Sequence, residues 1–403
     1  MAKKKKTDRS VERAARAAEK AAKKNPKVFF TIVAILLVIA IVAGVCWYFL
    51  IYKKKGPNPS TVLTGDEKEI ATADFSIHFL ELGNKKTGDC TLIKAGNTEV
   101  LIDAGSNNSS AEAIVPYIQK YCTDGILEFV IATHAHEDHI GAFYSTSSRK
   151  GVFDSFECKT IIDFPKTKKD ASSVSSVYGR YCASRDAEVE AGATHYTALQ
   201  CWNETDGAQR TYALSSSASF SILYQKYYTE FEGGTGENNY SVCTLFKNGN
   251  DHFLFTGDLE EEGESSLVDS NELPHCKLYK AGHHGSKTSS HDKMLKKISP
   301  EIVCVCCCAG SPEYTTVNDN TFPTQEFIDR VGRYTDKIYV TTLATNVNPA
   351  EEKWDFTSMN GNIVYYYGKK DGEEYSYKLY CSNDSSILKE TAWFKENRKW
   401  NGV

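Results

Sequence analysis

From Thr133 to His139 the chain reads Thr-His-Ala-His-Glu-Asp-His, placing three imidazoles and a carboxylate in the pattern His-x-His-x-Asp-His. No helix or strand core needs these groups packed so tightly. Neighbouring imidazoles disfavour one another's protonation, unless a cation makes their neutral forms useful as ligands. The run follows Ile126 to Ala132, an apolar stretch of strand length. The polar groups therefore sit at the end of a buried strand, where α/β folds place their chemistry. Imidazole with carboxylate suits zinc best, with iron or manganese as alternatives. A loop rich in histidine by chance is the competing reading, and the agreement of every position with metal-ligand spacing counts against it.

Three more segments close apolar runs with polar groups: Leu101-Ile102-Asp103-Ala104-Gly105, Thr256-Gly257-Asp258 and Gly282-His283-His284-Gly285-Ser286. Two adjacent metal ions need a shared anion to offset their repulsion, and a carboxylate such as Asp258 can bridge them. Each short segment alone is more often a turn; together and in this order they are specific. Between them, predicted strands (76–81, 91–94, 99–103, 126–132, 159–164, 219–225, 240–247, 253–255, 277–281) alternate with predicted helices (110–121, 260–268, 325–334). That alternation gives an α/β class. Residues 165–210 are polar and read as a helix plus an irregular insert. Ile302 to Ala309 holds Cys304, Cys306, Cys307 and Cys308 without Cys-x-x-Cys spacing. It reads as a buried strand in which cysteine serves as a small hydrophobe.

The net charge of −5 hides an asymmetry. Residues 1–55 carry 14 Lys/Arg and 3 Asp/Glu, a net +11, which leaves −16 on the remainder. An acidic body argues against broad binding of nucleic acid through a basic face. Val28 to Tyr52 is an almost unbroken apolar run, long enough to cross a bilayer as a helix, with Trp47, Tyr48 and Tyr52 near one end. The expected organisation is a basic cytosolic tail (1–27), a transmembrane helix (28–52), a linker (53–72), a catalytic domain (73–375) and a C-terminal extension packing on it (376–403). The positive-inside rule makes this a single-pass protein of the cell membrane, in contact with lipid, with its catalytic domain outside the cell. Thirteen cysteines fit that exterior poorly. Either some form disulfides, or the host lives without oxygen, or the orientation is reversed.

The chain resembles the metallo-β-lactamase superfamily, and within it the hydrolase domain of ComEC-type competence proteins. The resemblance rests on Ile77-His78-Phe79-Leu80-Glu81-Leu82-Gly83, Gly88-Asp89-Cys90-Thr91-Leu92-Ile93, the Asp103 segment, the His134 segment, Asn238-Asn239-Tyr240-Ser241, Thr256-Gly257-Asp258, and Gly282 through Ser289. It covers roughly residues 75 to 370. It implies a four-layer αββα sandwich with two divalent ions along one edge, zinc first, with manganese or iron as alternatives. By position, His134 and His136 would hold the first ion, Asp138 and His139 the second, with Asp258 bridging and His283 as the last ligand. His284 would lie nearer the substrate. Asp103 resembles a residue that orients the ligand loop. Asp138 or Asp258 would orient the attacking water, and Asn239, Ser286, Lys287 and Thr288 would contact substrate. Many superfamily members have a further histidine ligand before the bridging aspartate. Only His195 and His252 lie in that interval, and both read as surface residues. Competence proteins also carry a many-span membrane domain; this chain shows one apolar span, so transport does not carry over.

The expected chemistry is hydrolysis of a phosphodiester in a small molecule or envelope polymer, with nucleic acid less favoured, by water activated between the two ions. Lactone, thioester or β-lactam hydrolysis uses the same site on the same fold. An anchored binding module presenting Trp393, Phe394 and Trp400 is the non-enzymatic alternative; those aromatics also suit a packed terminal helix over 387–397.

Overall fold

Every residue from Ile302 to Ala309 is buried, which requires a strand covered on both faces. The computed structural model describes residues 63, 65–231, 236–351, 353–368 and 376–403, and places that strand inside one of two eight-stranded sheets. The chain runs α1 (Asp66–Ala71), β1 (Phe75–Phe79), β2 (Asp89–Ala95), β3 (Thr98–Gly105), α2 (Ala111–Tyr121), β4 (Ile126–Ile131), α3 (Glu137–Ile140), α4 (Val152–Ser155), β5 (Glu157–Asp163), α5 (Val177–Glu190), β6 (Thr194–Thr197) and α6 (Ala198–Asn203). It continues β7 (Thr211–Ala213), β8 (Ala218–Leu223), β9 (Cys243–Asn248), β10 (Asp251–Phe255), α7 (Glu261–Ser270), β11 (Leu278–Lys280), α8 (Asp292–Ile298), β12 (Ile302–Ala309), α9 (Gln325–Val331), β13 (Ile338–Asn348), β14 (Lys353–Ser358), β15 (Ile363–Gly368), β16 (Ser376–Cys381) and α10 (Ala392–Asn397). The first sheet is ordered β16-β15-β1-β2-β3-β4-β5-β6, the second β14-β13-β12-β11-β10-β9-β8-β7. Both are mixed: β3 to β6 are parallel, as are β10 to β13, and the flanking pairs are antiparallel.

The sheets pack face to face. Phe75 of β1 stacks on Phe253 of β10 with centroids 5.2 Å apart, and Phe129 of β4 meets Phe220 of β8 edge-on at 5.1 Å. β12 shows how its sequence fits this position. Ile302, Cys304 and Cys306 join the core between the sheets, while Val303, Val305 and Cys307 pack with Met294 and Leu295 of α8 and Phe327 of α9. A strand covered by a sheet on one side and helices on the other needs small side chains, and cysteine supplies them on both faces. On the outer face of the first sheet, α2 buries Ile114, Ile118 and Tyr121, and His78 of β1 bonds to Tyr117 Oη at 3.0 Å and Ser76 Oγ at 2.8 Å.

Several expectations shift. The polar insert contributes β6 to the edge of the first sheet, because its short Thr-His-Tyr-Thr run finds a parallel partner in β5. The stretch read as a C-terminal extension opens with β16, a strand paired to β15, before the chain ends in α10. There Phe394 is buried, and Trp393 and Trp400 pack on the outer core of the second sheet. The twelve described cysteines are free thiols, all but Cys381 buried. The basic tail and the apolar run 28–52 lie outside the described residues. Among the described residues no helix is long and apolar enough to cross a membrane.

Candidate metal centre

Each candidate side chain leaves the C-terminal end of a parallel strand: Asp103 from β3, the His134 segment after β4, Asp258 after β10, and His283 and His284 after β11. The parallel registers bring these ends to one edge. Glycine permits the closest approach. Gly257 has φ +53°, and a Cβ there would fall 2.8 Å from Ser241 Oγ and 2.9 Å from Thr133 Cβ.

The carboxylate of Asp258 is the focus. Its Oδ2 lies 3.2 Å from His139 Nε2, 3.4 Å from His284 Nε2, 3.8 Å from His134 Nε2 and 3.9 Å from His283 Nε2. His136 Nδ1 is 3.0 Å from His134 Nε2, and Asp138 Oδ2 is 3.4 Å from His284 Nε2. Ligand atoms of Asp89, His139, Asp258 and His284 all lie within 4.8 Å of one another. The donor set fits a divalent cation on a specific observation. His139 Nε2, His284 Nε2, Asp258 Oδ1 and Asp89 Oδ1 are all buried without a well-aligned hydrogen bond. Each such group costs about 1–3 kcal/mol if left unsatisfied, and one cation among them meets several at once.

The surrounding bonds aim these atoms. Asp103 Oδ1 accepts from Thr133 N at 2.7 Å, and Oδ2 from Thr133 Oγ1 at 2.8 Å and His139 Nδ1 at 2.7 Å. The last bond puts the proton on Nδ1 and turns the Nε2 lone pair toward Asp258. His284 Nδ1 meets the Cys306 carbonyl at 2.9 Å. A carbonyl only accepts, so His284 also presents Nε2 to the cluster. Ser241 Oγ accepts from Asp258 N at 3.0 Å and lies 3.3 Å from His134 Nδ1, tying both sides together. Burial pushes His134 and His136 below the ordinary histidine range. It opposes charge on His139 and His284 as well, but there the Asp258 carboxylate and its neighbours outweigh it and raise both. Burial also opposes ionisation of Asp258, yet His139 and His284 hold its carboxyl well below the usual range.

The burial of the two rings runs against the expectation of His283 as ligand and His284 nearer the substrate. His284 is buried beside Asp258 and Asp138, whereas His283 is 21% exposed and bonds through Nδ1 to Thr288 Oγ1 at 2.8 Å. The cause is a left-handed turn: His283 and His284 have φ of 44° and 55°. That turn carries the second ring, not the first, under Asp258. Such strain costs on the order of 1–3 kcal/mol per residue and is characteristic of functional sites.

Of the residues expected to touch substrate, Asn239 and Ser286 are buried and Thr288 is half-buried. Asn239 Oδ1 accepts from Glu260 N at 3.0 Å; Ser286 bonds Thr288, whose hydroxyl in turn supports His283. Lys287 is exposed, its Nζ donating to Asn320 Oδ1 at 3.0 Å. His195 bonds Asp163 Oδ1 at 2.8 Å on β6, and His252 lies at the opposite end of β10; neither joins the cluster. Three residues gained importance instead. Asp89 enters the cluster and pairs with buried Lys280, and Tyr314 Oη donates to Asp138 Oδ2 at 3.0 Å. One surface cleft, lined by Asp74, Ser215, Asn250 and Tyr367 among others, contains none of these residues, whereas another is lined by Asn239, Lys287 and Thr288 together with Glu260 and His291.

Residues 83–152 match the family model described as the metallo-beta-lactamase superfamily. The chain's curated relatives are ComEC-type competence proteins, as the sequence motifs imply. It is 24% identical over 286 residues to "Recombination protein 2" of Haemophilus influenzae, across 70% of this chain and 29% of that protein. It is 27% identical over 157 residues to "ComE operon protein 3" of Bacillus subtilis, across 38% of this chain and 17% of that protein. The chain thus spans less than a third of either relative. Among solved structures, the metallo-beta-lactamase fold protein YhfI from Bacillus subtilis is 12% identical at a TM-score of 0.36, covering 67% of this chain and 97% of that one.

Proposed function

We propose that this chain is a membrane-anchored, metal-dependent hydrolase of phosphodiesters, on the αββα frame, holding two divalent ions with zinc as the first choice. One observation carries the reading: four imidazoles approach a single carboxylate oxygen of Asp258 within 3.9 Å. His134 and His136 would hold one ion and Asp138, His139 and His284 the other, with Asp258 within reach of both. Divalent ions bound there would supply Lewis acidity and a water of lowered pKa. Asp103 keeps His139 in its ligating tautomer. Asp138, at the mouth under the Tyr314 hydroxyl, orients the attacking water and takes its proton. His283, more exposed, faces the substrate.

Phosphorus is favoured over an acyl centre by charge at the rim. Lys287 is exposed beside the histidine turn, and the charge of Lys169 reaches His136. Cations on an otherwise acidic body suit a phosphodiester anion, whereas a neutral lactone or β-lactam gives them no partner. The same acidic body favours a compact or envelope substrate over a long nucleic acid. Anchoring through residues 28–52, with the catalytic body outside the cell, follows from the basic tail.

The test combines metal analysis with hydrolysis of bis(p-nitrophenyl) phosphate. Two metals per chain, with turnover lost in Asp258→Ala, is the expected result. Bound metal with hydrolysis of lactones or thioesters but not phosphodiesters would replace phosphorus by an acyl substrate. Failure to bind metal would leave a binding module.

A further inference from the structure

At the opposite end of β3 from Asp103 lies a second group of ligand-type side chains. Glu99 follows the first residue of β3, Cys122 caps the C-terminus of α2, and Asp124 begins the approach to β4. Their ligand atoms all lie within 4.8 Å of one another. We propose that Glu99, Cys122 and Asp124 form a separate cation site that takes a zinc-class ion.

Acidic residues often gather without a ligand, so the argument turns on Glu99. Its side chain is 3% exposed. One oxygen, Oε1, pairs with Lys94 Nζ at 2.5 Å, but Oε2 is buried with no hydrogen-bond partner. A carboxylate oxygen sealed from water needs a donor or a cation. Further negative charge stands close by: Glu128 Oε2 accepts from Glu99 N at 2.8 Å. Burial, reinforced by Glu128 and Asp124, pushes the Glu99 carboxyl up to about 7 despite Lys94. Burial likewise raises the Cys122 thiol, with Glu99 and Asp124 adding to it. A divalent ion favours the charged form of both groups and so opposes these shifts.

The donor chemistry selects the ion. A thiolate with two carboxylates suits zinc or a similar borderline metal, and disfavours magnesium and calcium. Cys122 Sγ lies 3.8 Å from Asp124 Oδ1 and donates to Ile126 O at 2.9 Å. On binding, the S–H bond breaks, a sulfur–metal bond forms, and the proton leaves to water. Asp124 is exposed, which gives the ion access and leaves room for a water ligand. The ion would staple the end of α2 to the start of β3 and the lead into β4.

The His/Asp cluster contains no cysteine, and that separates the two sites experimentally. Cobalt(II) is titrated into the metal-free full chain while thiolate-to-cobalt charge-transfer absorption is recorded. The expected result is one equivalent of this band, bleached by zinc, retained in Asp258→Ala and absent in Cys122→Ser. In Asp124→Asn, an exposed and structurally mild change, cobalt binds roughly tenfold more weakly. No band at saturating cobalt, a band that survives Cys122→Ser, or one lost in Asp258→Ala would overturn the proposal. The readout requires no turnover, so it stands or falls apart from the hydrolase reading.

Discussion

Asp103→Asn isolates how the cluster is held from whether the fold forms. Both carboxylate oxygens of Asp103 accept, one from Thr133 N at 2.7 Å and the other from Thr133 Oγ1 and His139 Nδ1 at 2.8 and 2.7 Å. Asparagine offers one acceptor and one NH₂ in the same space. If the amide oxygen faces His139, the NH₂ opposes the Thr133 N–H, leaving a buried donor unpaired at a cost of about 1–3 kcal/mol. If the amide turns over, its NH₂ faces His139 Nδ1. The ring then moves its proton to Nε2, the atom 3.2 Å from Asp258 Oδ2. Neither arrangement preserves the ligating geometry. The expected loss is about 10–100-fold in metal affinity, or roughly 1.4–2.7 kcal/mol. Competition against a chromophoric chelator measures it, with circular dichroism confirming that the metal-free variant is folded. Affinity within twofold of wild type, alongside loss of metal in Asp258→Ala, would refute the orienting role of Asp103.

Other outcomes follow from the same geometry. Gly257→Ala combines φ +53° with overlap against Ser241 and Thr133, so it should destabilise the body by about 1–3 kcal/mol and weaken metal binding; a denaturant midpoint unchanged from wild type would contradict this. His78 sits buried against α2, and burial, with the charge of Lys94 adding, lowers it to about 3. Between pH 6.5 and 3 the unfolded chain therefore holds more protons than the folded one, and stability falls with pH by up to about 1.4 kcal/mol per unit. In metal-free protein the stability gap between wild type and His78→Gln should shrink as pH drops through that window; a constant gap would show that His78 does not titrate so. Metal at about 1,000 times its dissociation constant should add about 4 kcal/mol to stability, so chelation should lower the melting temperature of wild type but not of Asp258→Ala.

The legible parts of this molecule are those where one local pattern carries the physics. The His134 segment could be read because its imidazoles and carboxylate are contiguous and terminate an apolar strand. β12 could be read because burial on both faces leaves an apolar run whatever its partners. The missed parts are those whose meaning comes from another chain segment. Asp89 is one carboxylate in a Gly-Asp-Cys triplet, and only the pairing of β11 beside the cluster shows that Lys280 and His284 converge on it. Tyr314 lies in an irregular loop with no periodicity, so nothing local announces its bond to Asp138. The histidine pair shows the limit most sharply. Gly-His-His-Gly announces a site, but which ring turns inward depends on two left-handed backbone conformations and on a carbonyl at Cys306 waiting for Nδ1. Sequence spacing counts residues along a chain, whereas ligation is decided by directions, and a left-handed turn changes direction without changing the count. The same logic explains Ser286 and Thr288: adjacency to the histidines suggested substrate contact, while the turn folds their hydroxyls back to support His283. Residues next to the histidines in sequence are thus the ones most readily consumed in holding them, whereas Tyr314 reaches Asp138 from a segment that arrives from elsewhere.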